Sequence, residues 1–170
     1  MLNTIKTVIG YLLTLIEKST HFTLSKNSIS GIYNYLKIRD TLTTSGQPTE
    51  KQFLLIRDSG YKTVINLAPD NSENSLSDEG LLLKNLGIDY VHIPVDFKKP
   101  SQNNFDEFSA TLGRLNLNDT WIHCAANMRV SAFIYKYRCE VLFENPKEAK
   151  KDLEKIWVPI GVWKEFISRT

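Results

Sequence analysis

Cys124 and Arg129 are the residues of this sequence whose types and spacing best suit chemistry. They lie five positions apart, between a hydrophobic segment that ends at His123 and an apolar-periodic stretch, residues 128–143, that predicts a helix. The backbone N–H groups of such a loop and of a helix N-terminus attract an oxyanion. A guanidinium group can bind two oxygens of one phosphate or sulfate, and the same positive field favours a thiolate over a thiol. The spacing therefore predicts that Cys124 is a nucleophile.

A packing role is the alternative for these residues. Cysteine is among the most buried residue types, and an arginine in the first turn of a helix can simply form a surface salt bridge. The coincidence of a strand, a tight loop and a helix favours a catalytic or anion-binding role.

The composition sets broad limits on function. A chain of 170 residues with 42% hydrophobic and 24% charged residues is typical of one globular domain. A net charge of +2 without a long basic block predicts no nucleic-acid partner. The two cysteines lie on consecutive elements, which argues against a disulfide, and a free thiol fits a reducing, cytoplasmic compartment. The three histidines lack metal-ligand spacing, so we expect no metal and no cofactor.

Residues 1–30 are predicted to be an amphipathic helix and a linker, separate from the main domain at residues 31–170. Apolar residues recur at helical spacing through residues 1–18, but the stretch is too short and interrupted to span a membrane. It also lacks a strongly basic start and a small-residue cleavage site, which argues against a secretory signal. The helix is expected to pack on the domain or on a second subunit, or to contact a membrane surface and make the protein peripheral to it. The oligomeric state stays open.

Strands and helices alternate through the main domain. Thr49 and Gln52 form a capping-box signature, Ser101 is a candidate N-cap, and Pro146 stands at a favoured first helical position. The alternation predicts an α/β fold of three layers, with a mainly parallel sheet flanked by helices. Ligands of such sheets bind beyond the carboxyl ends of the strands, where the cysteine loop falls. The predicted strands lie within residues 32–44, 61–67, 90–95 and 121–123, and the predicted helices cover residues 49–58, 76–86, 101–115 and 128–143, one from 145 onward and one around 163–167.

Four sequence blocks together resemble the protein-tyrosine and dual-specificity phosphatase superfamily. The blocks are Ser-Gly-Gln-Pro-Thr at 45–49, Gly-Tyr-Lys-Thr-Val-Ile-Asn-Leu at 60–67, Asp-Tyr-Val-His-Ile-Pro-Val at 89–95 and His-Cys-Ala-Ala-Asn-Met-Arg-Val-Ser-Ala at 123–132. The likeness covers roughly residues 38–137 and is greatest to the small bacterial branch of beta-lactamase-hydrolase-like phosphatases. It implies a phosphatase-like fold, with the cysteine loop between a strand end and a helix N-terminus.

The loop departs from the superfamily's usual signature. Four residues separate the cysteine from the arginine where the usual number is five, and Val130 follows the arginine in place of Ser or Thr. Asn127 stands where a glycine is common, and it is the non-glycine residue best suited to a left-handed backbone. The four-residue spacer resembles the small bacterial branch and also the active loop of rhodanese sulfurtransferases.

The resemblance implies a role for each residue of the loop. Cys124 would attack phosphorus and form a cysteinyl phosphate, and Arg129 would hold the equatorial oxygens. His123 would order the loop and support the thiolate, although a packed strand histidine is an equal alternative. Ser131 would donate to the cysteine sulfur, or it is a plain helix N-terminal serine. The substrate-binding loop comprises Ala125, Ala126, Asn127, Met128 and Arg129.

A phosphatase also needs an acid that protonates the leaving oxygen. The resemblance favours Asp96, on the loop after the preceding strand, although the family's aspartate often lies one position further on, where this chain has Phe97. Asp106 is the second candidate, but its helical position predicts a solvated charge. Asp70 is the third.

Three functions follow as hypotheses. The first is a cysteine-dependent phosphatase that acts on a phosphorylated protein or a small phosphomonoester. The second is a rhodanese-like sulfurtransferase or persulfide carrier, favoured by the loop length. The third is a catalytically weak module that binds an oxyanion.

Overall fold

A computed structural model describes residues 1–20 and 28–168, so most of the predicted linker lies outside the described residues. The described residues form five strands and seven α-helices, with short 3₁₀ turns at Ile29–Gly31 and Leu117–Asp119. The strands are β1 (Leu36–Ile38), β2 (Leu42–Ser45), β3 (Thr63–Asn66), β4 (Asp89–His92) and β5 (Thr120–His123). The helices are α1 (Leu2–Thr20), α2 (Glu50–Asp58), α3 (Glu79–Asn85), α4 (Gln102–Leu112), α5 (Met128–Glu140), α6 (Pro146–Ile156) and α7 (Val162–Ser168).

The strands form one sheet in the order β1-β2-β5-β3-β4. Only β1 is antiparallel to its neighbour; the other pairs are parallel. Strand β5 is central, and its last residue, His123, is in register with Ser45 of β2 and Asn66 of β3. The predicted mainly parallel sheet is confirmed, and its carboxyl edge brings the ends of three strands together directly before Cys124.

Helices cover both faces of the sheet, so the strands are buried on each side. Successive strand residues point to opposite faces. Val64 and Trp121 pack with α2 and α3, whereas Ile65 and Ile122 pack with α4 to α7. This arrangement is the predicted three-layer fold.

The local signals place most elements where the sequence predicts them. The Thr49 capping box, the Ser101 cap and Pro146 at the start of α6 are all present. Residues 32–44 differ, because they form two antiparallel strands rather than one, and the chain reverses at Arg39 with a φ of 56°.

Three predicted helices are shorter in the structure. Helix α3 begins at Glu79, after Asp78 in the left-handed region, and not at residue 76. Helix α4 ends at Leu112, three residues before the predicted end. Helix α5 ends at Glu140 rather than 143, because Phe143 takes a φ of 51° that no α-helix continues through.

Helix α1 packs on the domain through its polar side chains. The Thr7 hydroxyl donates to the Ile156 carbonyl over 2.6 Å, Asn3 donates to the Glu154 carbonyl and Lys18 to the Glu73 carbonyl. Gly10 lies against the Tyr33 ring, so close that a Cβ there would be 2.5 Å from Tyr33 Cε2. Of the helices in the described part of the chain, none has the length and apolarity that a membrane crossing requires.

Gly46 allows Tyr33 to pack closely against the chain directly after β2, and this contact predicts the effect of adding a single methyl group. A Cβ at Gly46 would lie 2.5 Å from Tyr33 Cδ1 and 3.1 Å from the Tyr33 carbonyl oxygen. We expect Gly46→Ala to lower the free energy of unfolding by about 1–3 kcal/mol through overpacking. Urea denaturation measures this change. Gly113→Ala is the matched control, because its Cβ would meet only ordinary contacts from 3.5 Å outward; an equal loss in both variants would contradict the prediction.

Candidate active site

Residues 124–127 form a loop between the end of β5 and the start of α5, and Met128 and Arg129 are the first two residues of that helix. Cys124 is completely buried beneath it, and its backbone N–H faces the Ser45 carbonyl at 3.4 Å. Ala126 pairs with Gly46 in an isolated bridge, which fixes the loop to β2. The cysteine thus lies at the floor of the loop, at the centre of the sheet's carboxyl edge.

The loop's carbonyl groups are engaged from outside the loop. The Ala125 carbonyl accepts from the Asn74 amide over 2.9 Å and from the Gln47 N–H over 3.3 Å. The Ala126 carbonyl accepts from the Asn34 amide over 3.0 Å. Within the described part of the chain, no backbone carbonyl accepts a hydrogen bond from the N–H groups of residues 128–130. These donors, at the start of α5, are therefore available to an anion.

Asn127 turns the chain into α5. Its φ of 61° is in the left-handed region, as the sequence predicts for this position. Its amide donates to the Asn34 carbonyl over 2.8 Å and to the Thr44 hydroxyl over 3.0 Å. The side chain therefore fixes the loop to β2 and to the segment before β1, and Asn127 sets the turn into α5.

Arg129 is oriented by the segment that follows β4. Its Nε donates to the Val95 carbonyl over 2.8 Å, and its guanidinium carbon lies 5.2 Å from the centre of the Phe97 ring. Phe97 in turn contacts Trp157 and Trp163, and the Trp163 indole donates to the Phe97 carbonyl over 2.8 Å. This support leaves the two terminal nitrogens of Arg129 for a bidentate contact with an anion.

A buried carboxylate supports His123 from behind the loop. His123 Nε2 lies 3.1 Å from Glu79 Oε1, and Glu79 also accepts from the side-chain amides of Asn66 and Gln47. Burial raises the pKa of Glu79, but the facing His123 imidazole and the hydrogen bonds with His123, Gln47 and Tyr90 outweigh that effect, so the pKa lies below its usual value. The ionised carboxylate can only accept, and Nε2 therefore donates to it.

Glu79 is not among the site residues that the sequence predicts. The signal that could have revealed it is the helical spacing of Glu79 with Leu83, which places both residues on one face of α3. Leu83 is fully buried, and Glu79 lies nearly as deep beside it. A charged residue on the buried face of a helix requires a partner.

The remaining predicted residues have distinct positions. The Ser131 hydroxyl donates to the Met128 carbonyl over 3.1 Å, and its proposed contact with the cysteine sulfur stays a prediction. Asp96 is exposed and accepts from the Lys98 N–H over 2.8 Å. Asp106 lies on the surface of α4, where its carboxylate accepts from Gln102. Asp70 lies 3.7 Å from His92.

One cavity of about 840 Å³ opens above the loop. Ala125, Ala126, Met128 and Arg129 form its floor, with Asp96 at one side. Helix α1 forms the opposite wall through Thr7, Val8 and Tyr11, a contribution that the sequence did not reveal.

Tyr11 links α1 to the loop that follows β3. Its hydroxyl donates to Glu73 Oε2 over 3.4 Å. Burial raises the pKa of Tyr11, and the Glu73 carboxylate raises it further, so the hydroxyl stays a donor at neutral pH.

At this edge of the sheet, a cysteine directly follows the central parallel strand and an arginine stands in the first turn of the next helix, as expected for the protein-tyrosine and dual-specificity phosphatase superfamily. The family model described as DSP-PTPase phosphatase fused to NAD+ kinase matches residues 26–156, and the chain belongs to this family. The superfamily predicted from the sequence is therefore confirmed. No curated protein matches the chain.

Solved structures show the same architecture. A DUF442 protein from Shewanella putrefaciens CN-32 is 33% identical, with a TM-score of 0.72 over 82% of this chain and 92% of that chain. The core catalytic domain of the PP-IP phosphatase SIW14 from S. cerevisiae is 15% identical, with a TM-score of 0.68 over 81% and 85% of the two chains. P. aeruginosa TpbA in complex with pTyr is 17% identical, with a TM-score of 0.60 over 76% of each chain. The last two share the fold with this chain.

The lowered pKa of Glu79 predicts how stability depends on pH. A group whose pKa is lower in the folded state stabilises the fold fully above its unfolded pKa, here about 4.5, and loses that contribution as the pH falls through the folded value. At pH 7 we expect Glu79→Gln to reduce the free energy of unfolding by about 1–3 kcal/mol. Urea denaturation from neutral to acidic pH should show the difference from wild type shrinking below about pH 4.5. A constant difference across this range would contradict the assignment of the charge to Glu79.

Proposed function

We propose that this protein is a cysteine-dependent phosphatase that hydrolyses a phosphomonoester through a cysteinyl-phosphate intermediate. The observation that carries the proposal is the loop itself: Cys124 is fully buried directly before Ala125 and Ala126, which form the cavity floor together with Arg129, and the N–H groups at the start of α5 are available. A phosphoryl group placed on this floor meets donors for its oxygens and a nucleophile for its phosphorus.

The first step forms the intermediate. The Cys124 thiolate attacks phosphorus, an S–P bond forms, and the bond from phosphorus to the leaving oxygen breaks. Asp96 supplies the proton that the leaving oxygen takes up. The N–H groups of residues 128–130 and the guanidinium of Arg129 stabilise the negative charge on the three equatorial oxygens.

The second step releases phosphate. The Asp96 carboxylate accepts a proton from water, the water oxygen attacks phosphorus, and the S–P bond breaks to regenerate the thiolate. His123 acts as a positioning residue in both steps, because its buried contact with Glu79 fixes the end of β5 directly before the nucleophile.

The open cavity suits a phosphorylated protein or a small phosphomonoester. Its side walls, α1 and the segment after β4, stand apart from the loop and leave room for the group that carries the phosphate. We also propose a cytoplasmic location, since the reaction needs a reduced thiol, and no nucleic-acid partner.

Replacement of the nucleophile tests the proposal. We expect the wild type to hydrolyse p-nitrophenyl phosphate and Cys124→Ser to lose this activity by about 10⁴-fold or more, because the hydroxyl is not ionised at neutral pH. Cys139→Ser is the matched control and should keep wild-type kcat/KM, since Cys139 lies on α5 roughly 15 Å along the helix from Arg129. Absence of hydrolysis in the wild type would contradict the proposal, and sulfur transfer from thiosulfate to cyanide would then support the sulfurtransferase alternative.

Replacement of the acid tests the assignment of Asp96. We expect Asp96→Asn to lower kcat/KM by about 10²–10⁴-fold for alkyl phosphates, whose leaving oxygen needs a proton. The loss should be much smaller for p-nitrophenyl phosphate, whose leaving group is a good one without protonation. Asp106→Asn, a surface carboxylate on α4, is the control. Equal losses on both substrates would show that Asp96 does not act as the acid.

A further inference from the structure

Helix α1 exposes an apolar face on its outer side. We define the outer stripe as Leu2, Ile5, Ile9, Leu12 and Leu13, five aliphatic side chains that are each between 45% and 66% exposed. Their spacing places them on one face of the helix, over roughly 17 Å of its length. This is the largest run of exposed aliphatic residues on any one element within the described residues.

The orientation of α1 is the reverse of that of an ordinary surface helix. Thr7, Tyr11 and Lys18 face the domain and hydrogen-bond to it, while the outer stripe faces away. A surface helix normally buries its apolar face, because the removal of apolar surface from water is what stabilises the packing. Here the polar face forms hydrogen bonds with the domain, and the apolar face stays exposed. An exposed apolar patch of this kind marks a binding surface.

We propose that the outer stripe docks on the surface of a phospholipid membrane. An amphipathic helix that lies in the interface needs an apolar face, a polar face and basic rather than acidic flanks. Helix α1 contains Lys6 and Lys18 and one acidic residue, Glu17, so it carries a net positive charge that anionic headgroups attract. Lys6 is exposed and stands four residues from Leu2 and three from Ile9, at the border of the outer stripe.

The size of the outer stripe favours a membrane over a second copy of the chain. A stable protein–protein interface takes about 20–30 residues from each side. The outer stripe has five, and its neighbours on α1 already bind the domain. A membrane surface requires only the stripe, because the lipid adapts to its shape.

Docking would also orient the active site. Val8 borders the outer stripe, is 48% exposed and lines the cavity above the loop. Thr7 and Tyr11 of the same helix line the cavity and hydrogen-bond to the domain, so the helix and the cavity are fixed to each other. A docked helix therefore places the cavity mouth beside the headgroups, where a phosphomonoester carried at the membrane surface can reach it. The orientation of substrate rests on the proposed function, whereas the docking itself does not.

Vesicle binding tests the proposal with the full chain. The probe is vesicles of phosphatidylcholine and phosphatidylglycerol, and the readout is co-sedimentation of the protein. We expect the wild type to bind and the double variant Ile5→Glu/Leu12→Glu to bind about tenfold or more weakly, since two exposed aliphatic side chains that the membrane would bury become charged. Leu81→Glu/Phe143→Glu is the matched control, because these side chains are 58% and 86% exposed on other elements. It should bind like the wild type.

Hydrolysis of soluble p-nitrophenyl phosphate and the circular dichroism spectrum check that both double variants are folded, and neither should change. Equal vesicle binding by the wild type and the Ile5→Glu/Leu12→Glu variant would overturn the proposal. A wild type that does not bind vesicles but forms a dimer would also overturn the proposal. If the Ile5→Glu/Leu12→Glu variant abolished that dimer, the outer stripe would instead mediate self-association. A wild type that binds vesicles without hydrolysing any phosphate would leave docking in place and refute the phosphatase reaction.

Discussion

The candidate active site depends on one constraint: the carbonyl groups of residues 125 and 126 must accept hydrogen bonds from donors outside the loop. A backbone segment can offer several N–H groups to one anion only if its carbonyl oxygens point elsewhere, and a buried carbonyl needs a partner. Asn34 and Asn74 supply those partners from two distant segments, and Asn127 adds the left-handed turn into α5. Three asparagines thus fix the backbone shape of the loop: two through their side-chain amides and one through its left-handed conformation.

Two further interactions hold the residues on either side of the loop in place. Behind the loop, the buried contact of His123 with Glu79 fixes the end of the central strand at the level of the cysteine. In front of it, the Val95 carbonyl and the Phe97 ring hold Arg129, and the two tryptophans near the C-terminus hold Phe97. The position of the guanidinium is therefore set by the last helices of the chain. A rigid frame of this kind stabilises developing charge without reorganising during the reaction.

The N-terminal helix joins the site to the molecular surface. It lies entirely outside the region that matches the family model, yet it forms one wall of the cavity through Thr7 and Tyr11. The contacts that dock it are polar, and they leave its aliphatic side chains outward. The same helix therefore shapes the entrance to the site and presents the surface that we propose binds a membrane. Because Thr7 and Tyr11 hydrogen-bond to the domain, these two roles are mechanically linked.

The alternation of strands and helices, the helix caps and the position of the cysteine loop can be predicted from the sequence, because these features depend on residues close together in the chain. The sequence also indicated the left-handed turn at Asn127, since few residues other than glycine tolerate that conformation. The tertiary structure alone decided which side chains meet. The partners of the loop, Asn34 with Ala126 and Glu79 with His123, are separated by 92 and 44 positions, and no local pattern encodes such contacts. The face by which α1 packs was equally hidden, because periodicity shows that a helix has two faces but not which of them the domain can satisfy.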